Sequence, residues 1–403
     1  MCIFSVGHGG SRTERVLERK NALEPKKPAV SDAPHPSRLP GAKLVKRSIL
    51  EIMSDVLRLP GLVDVHVHLR EPGQTDKEDF TSGTRAALAG GFTTICDMPN
   101  NAEPITTPER LAAKIELAGG KALCDIGFHY GSLGDNLDTF AEAAKHSVGL
   151  KVYLNATTGG YTLDTARLKE IYAAWPREQV VLLHTEEDTI DIAIESLEGL
   201  DRPVHICHMP SRVVLEKIMA AKAKGLPVTC GVTPHHLFLT EEDVHRLGVY
   251  GMMKPPLKSR ADQEFLWTHL DDIDIFESDH APHTHADKAA GAFGVPNLET
   301  TLPLLLKARA EGKITLEQIL DKCHAKPSEI FGLSTDESTY VEVKMEPYVI
   351  QNDGLQTKCG WSPFAGTEVP GRVQKVVLHG TTVYENNEFS AVSTGQVLAP
   401  FAL

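Results

Sequence analysis

Eight short apolar runs, each ending in polar residues, follow one another through the middle of the chain. Stretches of helical period, often beginning at Ser or Asp and ending at Gly, separate most of them. Strand alternating with helix predicts a parallel sheet, and eight such units predict an α/β protein with a closed (β/α)8 TIM barrel. The runs are GLVDVHVHL, FTTICDMPN, LCDIGFHY, GLKVYLN, VVLLHTEE, PVHICHMP, PVTCGVTPHH and IDIFESDHAPH.

The two ends of the chain have other patterns. Residues 1–40 are rich in Pro, Ser, Lys and Arg and lack apolar periodicity, so we expect a disordered tail or linker there. Short alternating strands with turn residues occur before the barrel and after it. We therefore expect a small β-sandwich-like unit formed by residues 41–60 with 338–403, and a metal-dependent barrel over residues 61–337.

Composition narrows the classes of partner. The 403 residues include 41 Lys and Arg against 54 Asp and Glu, and no lysine-rich block is present, which argues against a nucleic-acid partner. The seven cysteines are scattered without CxxC spacing, as expected of reduced thiols in a cytosolic protein. No apolar run is long enough to span a bilayer, and the first residues lack the features of a secretory signal. We expect a cytoplasmic protein without a membrane partner.

The first apolar run carries two histidines among Val and Leu. Alternate residues of a strand point to the same side, so His66 and His68 should form a pair while Val65, Val67 and Leu69 face the other way. Such a pair can bind a metal, although a single strand histidine is more often a hydrogen-bonded core residue.

Active sites of these barrels lie at the carboxyl ends of the strands, where this sequence carries further polar residues. Imidazoles and a carboxylate at the same level of successive strands converge on one cavity, and such ligands suit Zn²⁺ or a similar ion. The candidates, in strand order, are His66, His68 and Arg70; Asp97, Asn100 and Asn101; His129; Lys151; His184; His205, Cys207 and His208; His235 and His236; and Asp279, His280 and His283.

The number of ligands bears on the number of metals. A catalytic zinc keeps three protein ligands and one open position. The five candidates, His66, His68, His184, His208 and Asp279, are more than one such zinc needs. Two metals would need a bridge. Lys151 cannot bridge as an ammonium ion, but a neutral buried amine can add CO₂ to form a carbamate, an anionic ligand with two oxygens. The alternative is that Lys151 pairs with a neighbouring carboxylate.

Seven motifs resemble those of the dihydroorotases, a family within the amidohydrolase superfamily: DVHVHLREPG, DMPN, GLKVYLN, HTEEDT, VHICH, TPHHLFL and SDHAPHT. The resemblance covers most of the chain and is closest to the dihydroorotase domain of the multifunctional animal pyrimidine-synthesis protein. It implies the reversible cyclisation of N-carbamoyl-L-aspartate to (S)-dihydroorotate plus water, a step of de novo pyrimidine biosynthesis. It also implies a homodimer, and leaves a place within a larger multifunctional protein as an alternative.

The resemblance further implies two zinc ions per chain and roles for individual residues. The implied ligands are His66, His68 and Asp279 for one zinc, His184 and His208 for the other, and N6-carboxylated Lys151 as the bridge. The implied substrate contacts are Arg70, Asn100 and His283. Asp279 would also be catalytic, as the group that transfers the proton, and His205 would lie behind the ligands or in the core.

Some positions depart from the animal pattern. Thr157 matches a threonine of the family's mobile loop, but Thr158 stands where the animal form has phenylalanine, and a smaller residue would seal the site less well against water. Lys254 replaces an arginine and so lacks its planar fork. Gly231 occupies a position that is acidic in the animal form.

Two other functions stay open. A related cyclic amidohydrolase, such as an allantoinase, hydantoinase or dihydropyrimidinase, would use a similar metal centre; Arg70 with Asn100 and His283 instead suits a substrate that carries a carboxylate. A catalytically silent dihydroorotase-like scaffold domain of a multienzyme is the second. The complete set of metal-binding side chains argues against it, whereas the altered loop and Gly231 favour it.

Overall fold

The computed structural model describes residues 52–53, 55–155, 163–391 and 394–398. The expected tail over residues 1–40 and the loop residues Thr157 and Thr158 therefore lie outside the described residues. The described chain opens with strands β1 (Ile52–Met53) and β2 (Val56–Pro60), which belong to the smaller of two main sheets.

The larger sheet has eight parallel strands, and each pairs with the next along the chain. The strands are β3 (Leu62–Val67), β4 (Phe92–Asp97), β5 (Asp125–Ser132), β6 (Gly149–Tyr153), β7 (Val181–His184), β8 (Val204–Ile206), β9 (Val228–Val232) and β10 (Ile275–Phe276). A parallel bridge between Val67 and His280 joins the last strand to the first. The predicted (β/α)8 barrel is thereby confirmed, and all eight predicted runs contribute a strand.

Helices connect most of the barrel strands. They are α1 (Phe80–Ala89), α2 (Pro108–Ala118), α3 (Phe140–Ala143), α4 (Thr165–Ala174), α5 (Ile190–Glu195), α6 (Arg212–Ala223), α7 (Pro234–Phe238), α8 (Glu241–Leu247), α9 (Arg260–Thr268), α10 (His285–Ala289), α11 (Leu298–Ala310), α12 (Leu316–Leu320) and α13 (Lys326–Phe331). The Asp79, Asp164 and Ser211 side chains accept a backbone N–H of the first turn, which starts α1, α4 and α6 where the sequence predicts. Among the described residues, no helix has both the length and the apolar character needed to cross a membrane.

The smaller sheet is antiparallel and combines strands from before and after the barrel, as expected. Its order is β1, β2, β11 (Tyr340–Lys344), β14 (Arg372–Leu378), β15 (Thr381–Glu385) and β16 (Glu388–Phe389). Strand β2 pairs with β11 from Tyr340 opposite Pro60 to Lys344 opposite Val56. A separate pair, β12 (Tyr348–Val349) with β13 (Glu368–Val369), lies in the connection between β11 and β14.

Strand β3 does not alternate as regularly as the sequence suggests. Its pairing with β4 shifts register between Asp64 and Val67. Val65 packs with residues such as Cys96, whereas Val67 belongs to the larger apolar cluster. The pairing is thus irregular over the residues between Asp64 and Val67, and the two valines belong to different apolar clusters.

Candidate metal centre

The strand that opens the barrel and the segment that closes it bring three candidate ligands together. His66 lies in β3, His68 follows it, and Asp279 follows β10; all three are buried. Asp279 Oδ1 is 3.0 Å from His68 Nε2 and 3.4 Å from His66 Nε2. The three ligand atoms lie within 4.8 Å of one another, close enough to hold one metal ion.

A second pair of histidines lies beside this cluster. His184 ends β7 and His208 follows β8, and His184 Nδ1 is 3.0 Å from His208 Nε2. The ring centroids of His66 and His208 are 5.0 Å apart, so the two groups adjoin. Four histidines and one carboxylate that are far apart in the sequence therefore surround one small volume.

Lys151 lies on β6 and is fully buried. Its Nζ is 3.1 Å from Cys207 Sγ and lies 4.9 Å from the centre of the Tyr153 ring. Its charge acts on His66, His184 and His208, which places the amine beside both groups of ligands. No ion pair between described residues includes Lys151, so pairing with a neighbouring carboxylate finds no support here.

The backbone is strained where the ligands leave their strands. Arg70, His208 and Asp279 have φ values of 65°, 37° and 44°. Side chains other than glycine rarely adopt this left-handed region, and such strain persists only where surrounding structure holds it. These three residues follow β3, β8 and β10, so the strained positions lie at the carboxyl ends of the barrel strands, where active sites of such barrels lie.

Burial sets the protonation of the ligands. Loss of solvent lowers the pKa of all four histidines, and the positive charge of Lys151 lowers that of His66, His184 and His208 further. Burial raises the pKa of Asp279 to about 7, although Lys151 acts in the opposite direction. Neutral imidazole is the form that binds metal, so these shifts favour ligation.

The expected substrate contacts border this centre. Arg70 Nη2 is 3.1 Å from His283 Nε2, and Arg70 Nε donates to the carbonyl of Pro282 at 3.1 Å. His283 Nε2 is also 2.9 Å from the carbonyl of Phe293, and it can either donate there or accept from Arg70. A small depression lies beside them; its lining residues are His68, Arg70, Asp97, Met98, Asn100 and Asn101.

Asn100 has a second contact that the sequence did not suggest. Its Oδ1 is 2.6 Å from His68 Nδ1. With Nδ1 donating to this oxygen, which can only accept, the other ring nitrogen, Nε2, would be left free to bind a metal. Asn100 therefore orients a candidate ligand from the edge of the depression.

Most of the remaining strand-end candidates hydrogen-bond away from the centre, whereas Cys207 lies with His66 and Glu277 in a second group whose ligand atoms are within 4.8 Å of one another. Asp97 accepts Leu69 N–H and pairs with Lys114, which also donates to Asn101. The histidines with such contacts are His129 to Val65 O, His205 to Thr229 Oγ1, His235 to Asn297 Nδ2, His236 to Pro255 O, and His280 to Glu78 Oε2. These side chains support the walls of the barrel and are not grouped with the ligands.

Glu277 is a buried residue of the centre that the sequence reasoning missed. Its Oε2 is 3.4 Å from His66 Nδ1 and 3.5 Å from His205 Nε2. Burial raises its pKa, but the contacts with the His205 ring and with the backbone N–H of His208 outweigh burial, so the net shift is downward. Its position two residues before Asp279, the spacing that also pairs His66 with His68, is the signal that could have identified it.

Two departures from the animal pattern can be located. Lys254 is partly buried, with its Nζ 5.0 Å from the centre of the Phe293 ring. Gly231 lies in β9 against Glu277.

The donor set fits a divalent metal. Imidazole nitrogens and carboxylate oxygens are the ligands that zinc and similar ions take. Within the described residues, His66 Nδ1, His208 Nδ1 and Glu277 Oε2 are buried atoms without a hydrogen-bond partner that meets distance and angle criteria. Buried polar atoms are normally satisfied, so a cluster of unsatisfied ones beside converging imidazoles is consistent with an ion as the missing partner.

Comparisons with known proteins identify the family of the chain. Residues 57–383 match the model of the amidohydrolase family. The chain is 43% identical over 350 residues to the multifunctional protein CAD of Squalus acanthias, covering 86% of this chain and 15% of that protein. It is 35% identical over 385 residues to a dihydroorotase of Pyrococcus furiosus, covering 88% of this chain and 90% of that protein. The chain thus spans a small part of the multifunctional relative and most of the archaeal one.

The fold also matches solved structures. The L-hydantoinase (dihydropyrimidinase) from Arthrobacter aurescens superposes with a TM-score of 0.79, covering 85% of this chain and 88% of that chain. The identity is 24%, so this likeness concerns the fold alone.

Proposed function

Because this chain belongs to the amidohydrolase family, we propose that it is a dihydroorotase, which interconverts (S)-dihydroorotate plus water and N-carbamoyl-L-aspartate in pyrimidine biosynthesis. The family and the dihydroorotase relatives imply a metal cofactor. The observation that carries the proposal is the convergence of two histidine groups on Asp279 and Lys151, in a chain whose relatives of similar length are dihydroorotases.

The metal centre that we propose holds two zinc ions. His66, His68 and Asp279 hold one, His184 and His208 hold the other, and N6-carboxylated Lys151 bridges them. Support comes from the spacing of the ligand atoms and from the buried amine of Lys151, which lacks a carboxylate partner among the described ion pairs. When bound, the ions supply Lewis-acid activation of water and of the substrate carbonyl.

Asp279 is the proposed proton carrier. Its carboxylate faces both His66 and His68, so it lies where it can exchange a proton with a water molecule held at the centre. In ring opening, Asp279 accepts a proton from the attacking water and delivers it to the ring nitrogen as the amide bond breaks. In ring closure the same proton moves in the reverse direction.

Arg70, Asn100 and His283 are the proposed substrate contacts. Dihydroorotate and carbamoyl aspartate both carry a carboxylate, and a guanidinium can bind one through two parallel hydrogen bonds. Arg70 is buried beside the depression next to the ligands, where water competes weakly for its N–H groups. His283 adjoins Arg70 and completes the polar edge. A substrate without a carboxylate would leave this buried cation unpaired.

We place the enzyme in the cytoplasm as a homodimer or as part of a larger multifunctional pyrimidine-synthesis protein. The cysteines of the described chain are free and buried, which suits a reducing compartment. The match to a multifunctional relative supports the second arrangement.

The test compares dihydroorotate hydrolysis and zinc content in wild type and Lys151→Ala. We expect about two zinc ions per wild-type chain, and loss of both metal and activity in the variant. Lys322→Met is a control, because this other buried lysine contacts the Ile273 carbonyl, ahead of β10 at the opposite end of the barrel. Opening of dihydrouracil or allantoin without dihydroorotate would overturn the substrate assignment. Wild type without metal or activity would support a silent scaffold instead.

A further inference from the structure

Lys288 is a buried lysine outside the metal centre, and the proposed function gives it no part. It lies on α10, a few residues after His283, and its side chain is fully buried. Burial lowers its pKa to about 8, and no ion pair between described residues includes it. A buried ammonium group is costly unless its N–H donors are satisfied, so its partners indicate what it does.

The ammonium group binds backbone carbonyls of two loops, one between α8 and α9 and the other between α10 and α11. Its three N–H donors have three acceptors at hydrogen-bond distance: the carbonyls of Met252 at 2.8 Å, Ala292 at 2.8 Å and Gly294 at 3.0 Å. The loops also contact each other, since the Gly294 N–H donates to the Met252 carbonyl at 3.0 Å. Lys288 therefore joins both loops to α10.

The second loop holds the ring of His283. Phe293, which lies between the two bound residues of this loop, has its own carbonyl 2.9 Å from His283 Nε2. Gly294 has a φ of 131°, and a Cβ built there would come 2.7 Å from the Ala281 carbonyl and 3.3 Å from Cδ2 of the His283 ring. The loop is thus packed closely against His283, so a shift of the loop would move the ring.

A further contact holds the backbone of His283. The Trp361 indole N–H donates to the His283 carbonyl at 2.8 Å. Nζ of Lys288 lies 5.6 Å from the centre of the Trp361 ring, within the distance at which an aromatic ring attracts a cation. One ammonium group thus supports both the loop that holds the ring of His283 and the side chain that holds its backbone.

His283 has one ring nitrogen left for a ligand. Its Nε2 is close to the Phe293 carbonyl and to Arg70, whereas its Nδ1 is buried without a hydrogen-bond partner among the described residues. Burial, followed by the positive charges of Arg70, Lys77 and Lys288, lowers the pKa of His283 to about 3, so the ring is neutral at physiological pH. The direction in which the free nitrogen points depends on how the ring is held.

We propose that Lys288 is a positioning residue for substrate binding, which holds the two loops so that the ring of His283 faces the substrate beside Arg70. The proposal rests on the proposed function, because it takes His283 as a substrate contact. Lys288 acts through the loops and not on the metal ligands. Its loss should therefore weaken substrate binding while zinc content and turnover per bound zinc are kept.

The experiment measures dihydroorotate hydrolysis and zinc content in the full chain as wild type, Lys288→Met and Lys288→Gln. Methionine keeps an apolar stem but removes all three donors, whereas glutamine keeps two N–H donors on a shorter side chain. We expect KM to rise about 10-fold or more in Lys288→Met and less in Lys288→Gln. In both variants kcat per bound zinc should stay within about threefold of wild type, because only binding is weakened.

Lys322→Met is the matched control. It removes another buried lysine that donates to a backbone carbonyl, that of Ile273, but at the opposite end of the barrel. The substitution and the burial are the same, so any general loss of stability is common to both variants. We expect the KM of Lys322→Met to equal that of wild type.

Each outcome separates this proposal from the proposed function. A wild-type KM in Lys288→Met would overturn the positioning role, while dihydroorotate activity of wild type would still stand. Loss of zinc, or an equal rise in KM in Lys322→Met, would also overturn the role, because the effect would then come from the metal centre or from general stability. If Lys288→Met does not fold, Lys288→Gln decides: a raised KM with kcat per zinc retained supports the role, and a wild-type KM overturns it. Wild type without activity on dihydroorotate would overturn both proposals.

Discussion

Asp279 combines two proposed tasks at the scale of one residue, since its carboxylate faces two candidate histidine ligands and can also carry a proton. Replacing it by asparagine keeps its size but removes the group that accepts and releases the proton. We expect kcat to fall about 10²- to 10⁴-fold in Asp279→Asn, with KM changed by about threefold or less, because the substrate contacts are on other residues. Steady-state hydrolysis of dihydroorotate, with zinc content measured on the same sample, checks this.

The zinc measurement separates proton transfer from ligation. A variant that has lost its metal would lose activity for a different reason, so turnover is compared per zinc bound. A large rise in KM with kcat retained would contradict the assignment, because it would place Asp279 in substrate binding.

Residue types and spacing indicated candidate ligands, but they could not separate these from the other histidines at strand ends. His66 and His68 are evident from their alternation in a strand, and His184 and His208 from their positions at strand ends. His129 and His236 have similar positions but donate to main-chain carbonyls that are distant in sequence. Those partners depend on the three-dimensional path of the chain, which single-residue patterns do not contain.

Glu299 shows how an element can respond to pH. It lies in the first turn of α11, and its carboxylate accepts the N–H groups of Gln356 and Thr357 in the segment between β12 and β13. Burial raises its pKa to about 7, above the 4.5 of an exposed glutamate. The folded state therefore binds this proton more tightly than the unfolded state, and its contribution to stability falls as pH rises from about 4.5 to about 7.

Glu299→Gln should remove that dependence while keeping an acceptor for the loop. The free energy of unfolding of the variant, measured relative to wild type, should be up to about 2 kcal/mol higher at pH 8 than at pH 5. This figure allows for partial exposure of the Glu299 side chain. Urea denaturation at the two pH values measures it. If the free energies of unfolding of variant and wild type differ by the same amount at pH 5 and at pH 8, the assigned pKa is contradicted.

His379 joins the smaller sheet to the barrel and should have the opposite pH dependence. It lies in the turn between β14 and β15, with Nδ1 3.0 Å from Asp336 and Nε2 3.0 Å from Asp125, the first residue of β5. Burial lowers its pKa, but hydrogen bonds to Asp336 and Asp125 outweigh burial and raise it. Its contribution to stability is therefore complete below about pH 6.5 and is lost as pH rises through the folded pKa.

The variant that tests this is His379→Asn, because asparagine tolerates the positive φ of 50° at this position. We expect a cost of about 1 kcal/mol or less at pH 5.5, since the group is partly exposed, and a smaller cost at pH 9. Thermal or urea unfolding at both values gives the difference. A larger cost at pH 9 would show that the neutral ring, and not the charged one, provides the contact.

The starts of helices and the positions of strands could be predicted from local sequence, whereas the ends of strands could not. Caps such as Asp79 and Ser211 are local signals and appear where expected. Strand β10 has only two residues, although its apolar run is longer. After β10, the backbone N–H of Ser278 donates to the Asp64 carboxylate on β3. This contact joins the first and last strands of the barrel, and the sequence of either strand alone does not reveal it.

At the scale of the whole molecule, the proposed ligands come from β3, β6, β7, β8 and β10 or the residues that follow them, and span residues 66 to 279. Strand order and barrel closure could be predicted from the repeated alternation of strand and helix, because parallel strands joined by helices form neighbours in sequence order. The contact between ligands from opposite sides of the barrel follows from closure. A metal there would link strands that are distant in the chain.

That link makes metal removal a test of the whole fold. A ligand that binds only the folded state at 1,000 times its dissociation constant adds about 4 kcal/mol, and for a chain of this size each kcal/mol shifts Tm by about 1–2 °C. We expect a chelator to lower the Tm of the zinc-loaded wild type by about 5 °C or more for each ion removed, and added Zn²⁺ to restore it. Lys151→Ala, which lacks the proposed bridge, should show little shift, whereas His379→Asn, far from the ligands, should respond as wild type does. An equal shift in Lys151→Ala would mean that the stabilising metal is bound elsewhere.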